Sequence, residues 1–578
     1  MKHRTSNQIA ALALLAASGA LYVRPALACG GFFCSQAQPV NQAAERIIFA
    51  DNGDGTITAV IQILYDGPSE SFSWLLPIGS VPEGDELGVA SDIAFQRLQF
   101  ATNPQFNLTT VVEGSCRQSR GDSLVVPAES DDSPSAAGGA GGASNGVNVE
   151  ASGVVGAFDW VVISVDDASP DPALPATDWL TQNGYDVPPG GADLIRPYLA
   201  DNMYLLALRL TKGSDVGSIR PIRLTYRADA PSIPIKLTAV AANQDMGVMT
   251  WALSGSRAVP FNYNALELNE ARINWFNASA NYNDVVIEAA DDAGGQGFVT
   301  EFAGPSSQLA NVVWSESDES EWDVARIPVY RNRGELLAAL VSRYQGYSGF
   351  WDALRRTITL PEAVSFDDFK ACPQCYADDA DFAPTELYDA IDADVLEPVR
   401  SVQALIDRMP YATRLYSTLS AAEMTLDPVF VFNPDLPAVD NIHRANRVIE
   451  CSPNLYTSEA PWRIDFPQGA SIRGTADQVG LWPDAVNAQP PNTRVLMLAA
   501  SGEGAVVDDN ASLISSMLSD YNATVPTPKG SGAGDSADGG FCDLSRPVGS
   551  GSRSAAPAWL ALALGVLLQR ARAARRAR

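Results

Sequence analysis

Glu45-Arg46-Ile47-Ile48-Phe49-Ala50, then Asp51-Asn52-Gly53-Asp54-Gly55, then Thr56-Ile57-Thr58-Ala59-Val60-Ile61-Gln62-Ile63-Leu64-Tyr65 is the stretch on which the fold turns. Two apolar runs rich in β-branched residues, which suit a pleated surface, flank an acidic turn with two glycines. The pattern predicts a hairpin. Asp51 and Asp54 resemble the start of a calcium loop. The turn lacks the alternate-position ligands and distant Glu of an EF-hand, so it is read as a plain turn. The body of the protein therefore opens as β structure.

Downstream, 71–78 continues as strand, with Pro77 near its end. Residues 91–102 carry helical spacing at Ile93, Phe95, Leu98 and Phe100, and 107–113 return to strand. Residues 128–150 include Ala137-Gly138-Gly139-Ala140-Gly141-Gly142 and are read as a low-complexity surface loop. A strand around Trp160 (154–165), short helices at 176–183 and 192–200, and strands at 203–210, 222–226, 233–241 and 247–253 follow.

Upstream, Lys2, His3 and Arg4 precede the apolar residues 9–23, and Ala26-Leu27-Ala28 has the small-x-small pattern of a signal peptidase site. Cleavage after Ala28 makes Cys29 the first mature residue. Lipoprotein processing would also leave Cys29 first, but such signals carry Leu three residues before the Cys, where this chain has Ala26. An apolar run of that length makes a helix of about 22 Å against a hydrocarbon core of about 30 Å, which argues against an uncleaved anchor.

The formal charge is −29. Lys2, Arg4 and Arg24 of the leader, with Arg570, Arg572, Arg575, Arg576 and Arg578 of the last residues, mask a body at −37. Such a surface repels phosphate backbones and anionic headgroups. It argues against nucleic acid and anionic lipid as partners of the body and leaves membrane contact to the C-terminal segment, while the leader and that segment imply the export and sorting machinery as partners.

Seven cysteines in an exported chain are counted as disulfides first. Proximity suggests Cys29–Cys34 and Cys372–Cys375, leaving Cys116–Cys451, although six cysteines admit fifteen pairings. The long bridge would stabilise by about 5 kcal/mol in the chain-entropy model. Cys372-Pro373-Gln374-Cys375 is also the sharpest chemical candidate, because a Cys-x-x-Cys can be a redox centre. Asp378, Asp379 and Asp381 follow it and oppose a thiolate, so a structural bridge is preferred.

Several motifs carry a resemblance: Ala28-Cys29-Gly30-Gly31-Phe32-Phe33-Cys34, Phe72-Ser73-Trp74-Leu75-Leu76-Pro77, Asn183-Gly184-Tyr185-Asp186-Val187-Pro188-Pro189 and Phe298-Val299-Thr300-Glu301-Phe302-Ala303-Gly304. Together they resemble a bacterial exported family catalogued only as a domain of unknown function, number twenty-three thirty in its series, from about 28 to at least 304, and the segment from Tyr411-Ala412-Thr413-Arg414 through Leu426-Asp427-Pro428 looks like a further part of it. The resemblance implies an exported envelope protein and brings no site residues with it.

From about 333 the periodicity changes. Residues 335–345, 387–396, 398–408 and 412–419 are read as helical, and Ser420 with Glu423 forms a capping-box pattern. Residues 494–499 read as a buried strand and 511–520 as a helix. Residues 526–554 are rich in Gly, Ser and Pro. The apolar run 555–568 and five arginines complete a pattern resembling the myxobacterial type of C-terminal sorting tail, with Cys542 as the matching cysteine. That run would span about 21 Å, which favours transient anchoring and removal. Retention with the arginines in the cytoplasm is the alternative.

The organisation expected is an α+β fold. A signal peptide at 1–28 leads to a β-rich, sandwich-like domain with short helices at 29–332. A mostly helical subdomain at 333–450, a mixed segment at 451–525, a linker at 526–554 and the tail at 555–578 follow. His443 is the only histidine after the leader, which excludes multi-His metal sites. No Gly-x-Ser-x-Gly elbow or Gly-Lys-Ser/Thr loop occurs. No catalytic, cofactor or metal residue is assigned, and the processing positions are Ala28, Cys29 and Cys542. The favoured reading is a non-catalytic envelope or surface protein with a binding or structural role. The alternatives are an extracellular hydrolase working through carboxylates and a thiol-redox protein using Cys372 and Cys375.

Overall fold

The hairpin forms and anchors the whole architecture. In the computed structural model the described residues are 41–526, apart from 67–72, 118–146, 166–169, 186, 211–219, 241, 327–329, 331, 468 and 479. The signal peptide, Cys29–Cys34, most of the low-complexity stretch and everything from 527 on, Cys542 and the sorting tail included, lie outside them. Asn41–Asp51 pairs antiparallel with Thr56–Asp66, Ile48 opposite Val60. Gly53 and Gly55 take φ of +76° and +84°, the left-handed region that glycine enters without a Cβ clash. The Asp51 carboxylate accepts the Gly53 N–H at 3.0 Å, and Asp54 accepts the Thr56 N–H at 3.0 Å. Both acids are spent on their own turn.

Ten strands make one mixed sheet. Their order is Ala505–Asp509, Asn492–Met497, Asn264–Leu268, Gly297–Pro305, Tyr411–Leu419, Ala242–Ser254, Asn41–Asp51, Thr56–Asp66, Ile222–Arg227 and Leu87–Val89. The side chains alternate between two buried faces, as the period of a strand requires. Ile48, Ala50, Val60 and Trp251 face a helical layer that includes Asp92–Thr102, Arg333–Tyr344, Phe350–Thr357, Pro384–Ile391 and Glu397–Arg408. Ile47, Phe49, Ile57 and Ala59 face the other way, onto Trp74, Leu76, Leu206 and Phe158. Those belong to a second sheet ordered Ser73–Ile78, Tyr204–Leu210, Phe158–Val165, Val147–Val155. Its far face, with Leu75, Leu205 and Ala207, is covered by helices Ala173–Gln182 and Gly191–Ala200. The stack is helix, sheet, sheet, helix, an α+β fold. A further sheet, Ser471–Gly474, Trp462–Asp465, Ile442–Glu450 and Gln105–Glu113, encloses its own core of Trp275, Trp462 and Phe466 under helix Ala511–Thr524.

Several elements differ from the sequence reading, each for a physical reason. Residues 154–165 are not one strand: Gly156, at φ +56°, turns the chain between Val147–Val155 and Phe158–Val165. Residues 233–241 hold a short helix, Ile235–Thr238, after two prolines. The stretch 412–419 is strand Tyr411–Leu419, not helix. It lies between Gly297–Pro305 and Ala242–Ser254 with both faces buried, so the alternation that marks a strand is missing. Phe100 matches the helical spacing but is 83% exposed, because the buried stripe of its helix runs through Ala94, Phe95, Leu98 and Thr102. Among the described residues no helix is long and apolar enough to cross a membrane.

The two phenylalanines of that helix give a direct check. Phe95→Ala is expected to cost about 3–5 kcal/mol and Phe100→Ser under about 0.5 kcal/mol in urea unfolding. Equal losses would contradict the helix orientation.

Candidate functional site

The richest polar cluster lies where the ten-stranded sheet meets the Ile442–Glu450 sheet. Gly297–Pro305 pairs with Tyr411–Leu419 through a register shift: Thr300 opposes Leu415, Phe302 opposes Arg414, and Glu301 is the extra residue. A bulge of this kind re-aims a side chain. Here it brings the Glu301 carboxylate 2.6 Å from Arg414 Nε, with both side chains no more than 2% exposed. Tyr282 Oη donates to Glu301 Oε1 at 2.7 Å. Burial pushes the Glu301 carboxyl up; Arg414 and the Tyr282 hydroxyl work against that. Burial, then the neighbouring Glu301 charge, holds the Tyr282 phenol well above its ordinary value.

Arg414 reaches through to the helix Asp92–Thr102. Its Nη1 donates to Gln99 O at 3.2 Å, Thr102 Oγ1 at 3.1 Å and Asn103 Oδ1 at 2.8 Å. The guanidinium carbon sits 5.5 Å from the Trp251 ring centre, a cation–π distance. Trp251 Nε1 donates to Thr102 Oγ1 at 3.1 Å, and that hydroxyl donates to Leu98 O at 2.7 Å.

His443 lies against the same cluster and is in register with Phe106 on the parallel neighbour strand. The two rings stack at 4.5 Å and 13°. Its Nδ1 is 2.7 Å from Glu270 Oε1, while Glu270 Oε2 is buried with no hydrogen-bond partner among the described residues. Phe106 in turn meets Trp275 edge-on at 5.0 Å. A carboxylate holding one imidazole nitrogen can orient a general base. This imidazole's hydrogen bond goes to the carboxylate, with no hydroxyl or thiol in the pair to activate. The cluster acts as a polar tie between elements far apart in the chain.

The structure also selects one carboxylate group from the 68 acids. Asp291 and Glu423 hydrogen-bond each other, with Asp245 beside them; burial and then the Asp245 charge raise the Asp291 carboxyl, while burial, opposed by the Ser420 N–H and reinforced by Asp291, raises Glu423. Half of the predicted capping pattern is present, Ser420 N–H donating to Glu423 Oε2 at 2.7 Å while the Glu423 N–H goes to the Ser420 carbonyl, and it opens a short turn as the sequence suggested. Ser420 Oγ donates to Asp245 at 2.8 Å. Among the described residues no three His, Cys, Asp or Glu side chains converge as a metal site would need.

The cysteines are placed simply. Cys116 and Cys451 are joined, Cα to Cα 4.8 Å, immediately beyond the paired strands Gln105–Glu113 and Ile442–Glu450. Gly114, at φ +82°, passes so close to Cys451 that a Cβ would stand 2.5 Å from its carbonyl oxygen. Cys372 and Cys375 are joined as well, Cα to Cα 5.4 Å. Ser365 and Asp368 cap the preceding helix Phe366–Ala371 reciprocally, and Cys375 is exposed.

Sequence reasoning singled out His443 and the cysteines but missed Glu301, Arg414, Tyr282 and Glu270 as a group. One signal was present: Glu301 and Arg414 are each the lone charge in an otherwise uncharged strand. The fold and this tie define a large α+β protein stapled by cystines. A family model described as an uncharacterized protein conserved in bacteria (DUF2330) matches residues 23–312, and the chain belongs to that family. The match takes in Glu270, Tyr282 and Glu301 and ends before Arg414 and His443. Comparison with curated proteins and with solved structures gave no match.

Two measurements probe these clusters. Arg414→Met is expected to cost about 3–5 kcal/mol, since it strands a buried carboxylate, and adding Glu301→Leu is expected to recover most of that loss in urea unfolding. A double variant as unstable as the single one would show that the pair is not coupled. For the acids, a raised carboxyl favours folding below its unfolded pKa and loses that contribution as pH rises through the folded value. Glu423→Gln is therefore expected to raise the melting temperature at pH 7 by a few degrees and to leave it unchanged below about pH 4, where the acids are protonated.

Proposed function

We propose that the chain is an exported protein of the bacterial envelope or outer surface, with a binding or structural role and not a catalytic one. The observation that carries this reading is the Cys116–Cys451 cystine, which spans 335 residues and locks the ends of two paired strands. Cystines of this kind persist in oxidising compartments. Constraining so long a loop stabilises the fold by about 5 kcal/mol in the chain-entropy model. The small-x-small pattern at Ala26–Ala28 supports export with Cys29 as the mature N-terminus. The apolar run and five arginines at the other end support handling by sorting machinery, with the membrane met only through that segment. An acidic body fits solubility outside the cell and leaves nucleic acid out of the partners.

A non-catalytic role is supported by how the reactive groups are engaged. The histidine is held by Glu270 and by Phe106, and Glu301 is taken up by Arg414 and Tyr282.

Fractionation with intact-mass analysis tests the proposal. The expected form is surface-associated, begins at Cys29 and lacks free thiols at Cys116 and Cys451. A cytoplasmic protein with both thiols free would overturn it, and recovery of Arg578 in the surface form would exclude removal of the tail. The double variant Cys116→Ser/Cys451→Ser is expected to lose about 3–5 kcal/mol of stability.

A further inference from the structure

Sheet edges are templates for pairing, and natural proteins shorten, bend or charge them. Among the described residues most edges here carry such a device. Leu87–Val89 has three residues; Ala505–Asp509 is short, has a register shift and ends in two aspartates. Ser73–Ile78 contains Pro77, and Val147–Val155 is broken by a register shift between Val149 and Ala151. Ser471–Gly474 has four residues, one of them Arg473.

Gln105–Glu113 is different. It runs for nine residues in unbroken register beside Ile442–Glu450, and no described strand lies on its other side. It contains no proline, lysine or arginine. From Thr109 to Glu113 every residue is exposed, with Val111 at 48% and Val112 at 51%.

The direction of its free backbone groups follows from the pairing. Gln105 N–H donates to Asn441 O, and Glu113 O accepts from Cys451 N–H, each at 2.8 Å. The odd positions therefore spend their backbone groups inward, and Phe106, Leu108, Thr110 and Val112 point theirs to the open side.

We propose that this edge pairs antiparallel with the same edge of a second copy of the chain, about a two-fold axis at Thr109. An isologous contact requires the patch to complement itself. This register does so on three counts. It sets Phe106 opposite Val112 and Leu108 opposite Thr110, so outward-facing residues meet outward-facing residues and exchange both N–H···O bonds. It faces Glu113, the strand's one charge, with Gln105, so no like charges meet. It covers exposed Val112 with Phe106, the ring that stacks on His443, and it brings the two Thr109 side chains together as a close, non-hydrogen-bonded pair. One strand edge is a small interface, and the dimer is a weak one. Each copy carries −29, so added salt strengthens the pairing by screening the repulsion.

Cysteine crosslinking of the full chain tests this, supported by sedimentation at concentrations on the order of 10–100 μM, where a weak interface is populated. Thr109→Cys is expected to form a disulfide-linked dimer at least about tenfold faster than Val111→Cys, whose thiols would lie far apart across the axis. Thr110→Pro, which removes an outward N–H and keeps the inward ladder, is expected to sediment as monomer. Amide exchange at Phe106, Leu108, Thr110 and Val112 is expected to slow as concentration rises. Equal crosslinking by the two cysteine variants, or a parent protein that stays monomeric throughout, would overturn the proposal. So would protection of those amides that does not vary with concentration, which would give the edge to a segment of the same chain.

Discussion

A carboxylate and a guanidinium taken out of water in the middle of a ten-stranded sheet set the terms for the rest of this protein. Isolated, either charge would be too costly to bury. Together they are tolerable where their own remaining polar atoms find partners, and the surrounding elements supply these. Tyr282 serves Glu301, while Gln99, Thr102 and Asn103 serve Arg414. The cost of the pair is thereby turned into positional information. The helix Asp92–Thr102, the bulged strand at Glu301 and the strand at Arg414 each have one placement that satisfies the network. Buried ion pairs often add little net stability. What this one adds is register, in a strand whose apolar faces alone would permit slippage.

The same logic explains what was legible in the sequence. Elements marked by a glycine-rich turn, or by one wet face and one dry face, could be read directly. The hairpin at 45–65 shows its turn, and helices such as Arg333–Tyr344 and Glu397–Arg408 show their stripes. Strand Tyr411–Leu419 could not be read, because burial on both sides removes the alternation and leaves a run that suits helix or strand equally. Phe100 misled for the opposite reason, as an aromatic on the solvent side of a real helix. The polar tie was hidden by distance: Glu301 and Arg414 meet only because a bulge and two strand pairings bring them together. Only the oddity of a single charge in each strand pointed to them.

Sulfur and charge then divide the work. The ion pair fixes the interior of the large sheet, and the Cys116–Cys451 bridge fixes the far end of the smaller one, one strand away from His443 and Phe106. Glu301 and His443 lie close enough to interact across the seam between the two sheets. Glu270 and Phe106 hold the lone imidazole of that seam from two directions, which makes it a spacer between sheets.

The seam's coupling can be measured directly by native-state hydrogen exchange on the parent protein and on Arg414→Met. If the tie sets the register of the structure, losing it lowers protection together in Asp92–Thr102, Gly297–Pro305, Tyr411–Leu419 and Ile442–Glu450, four elements far apart in sequence. Loss of protection confined to Tyr411–Leu419 would contradict the account.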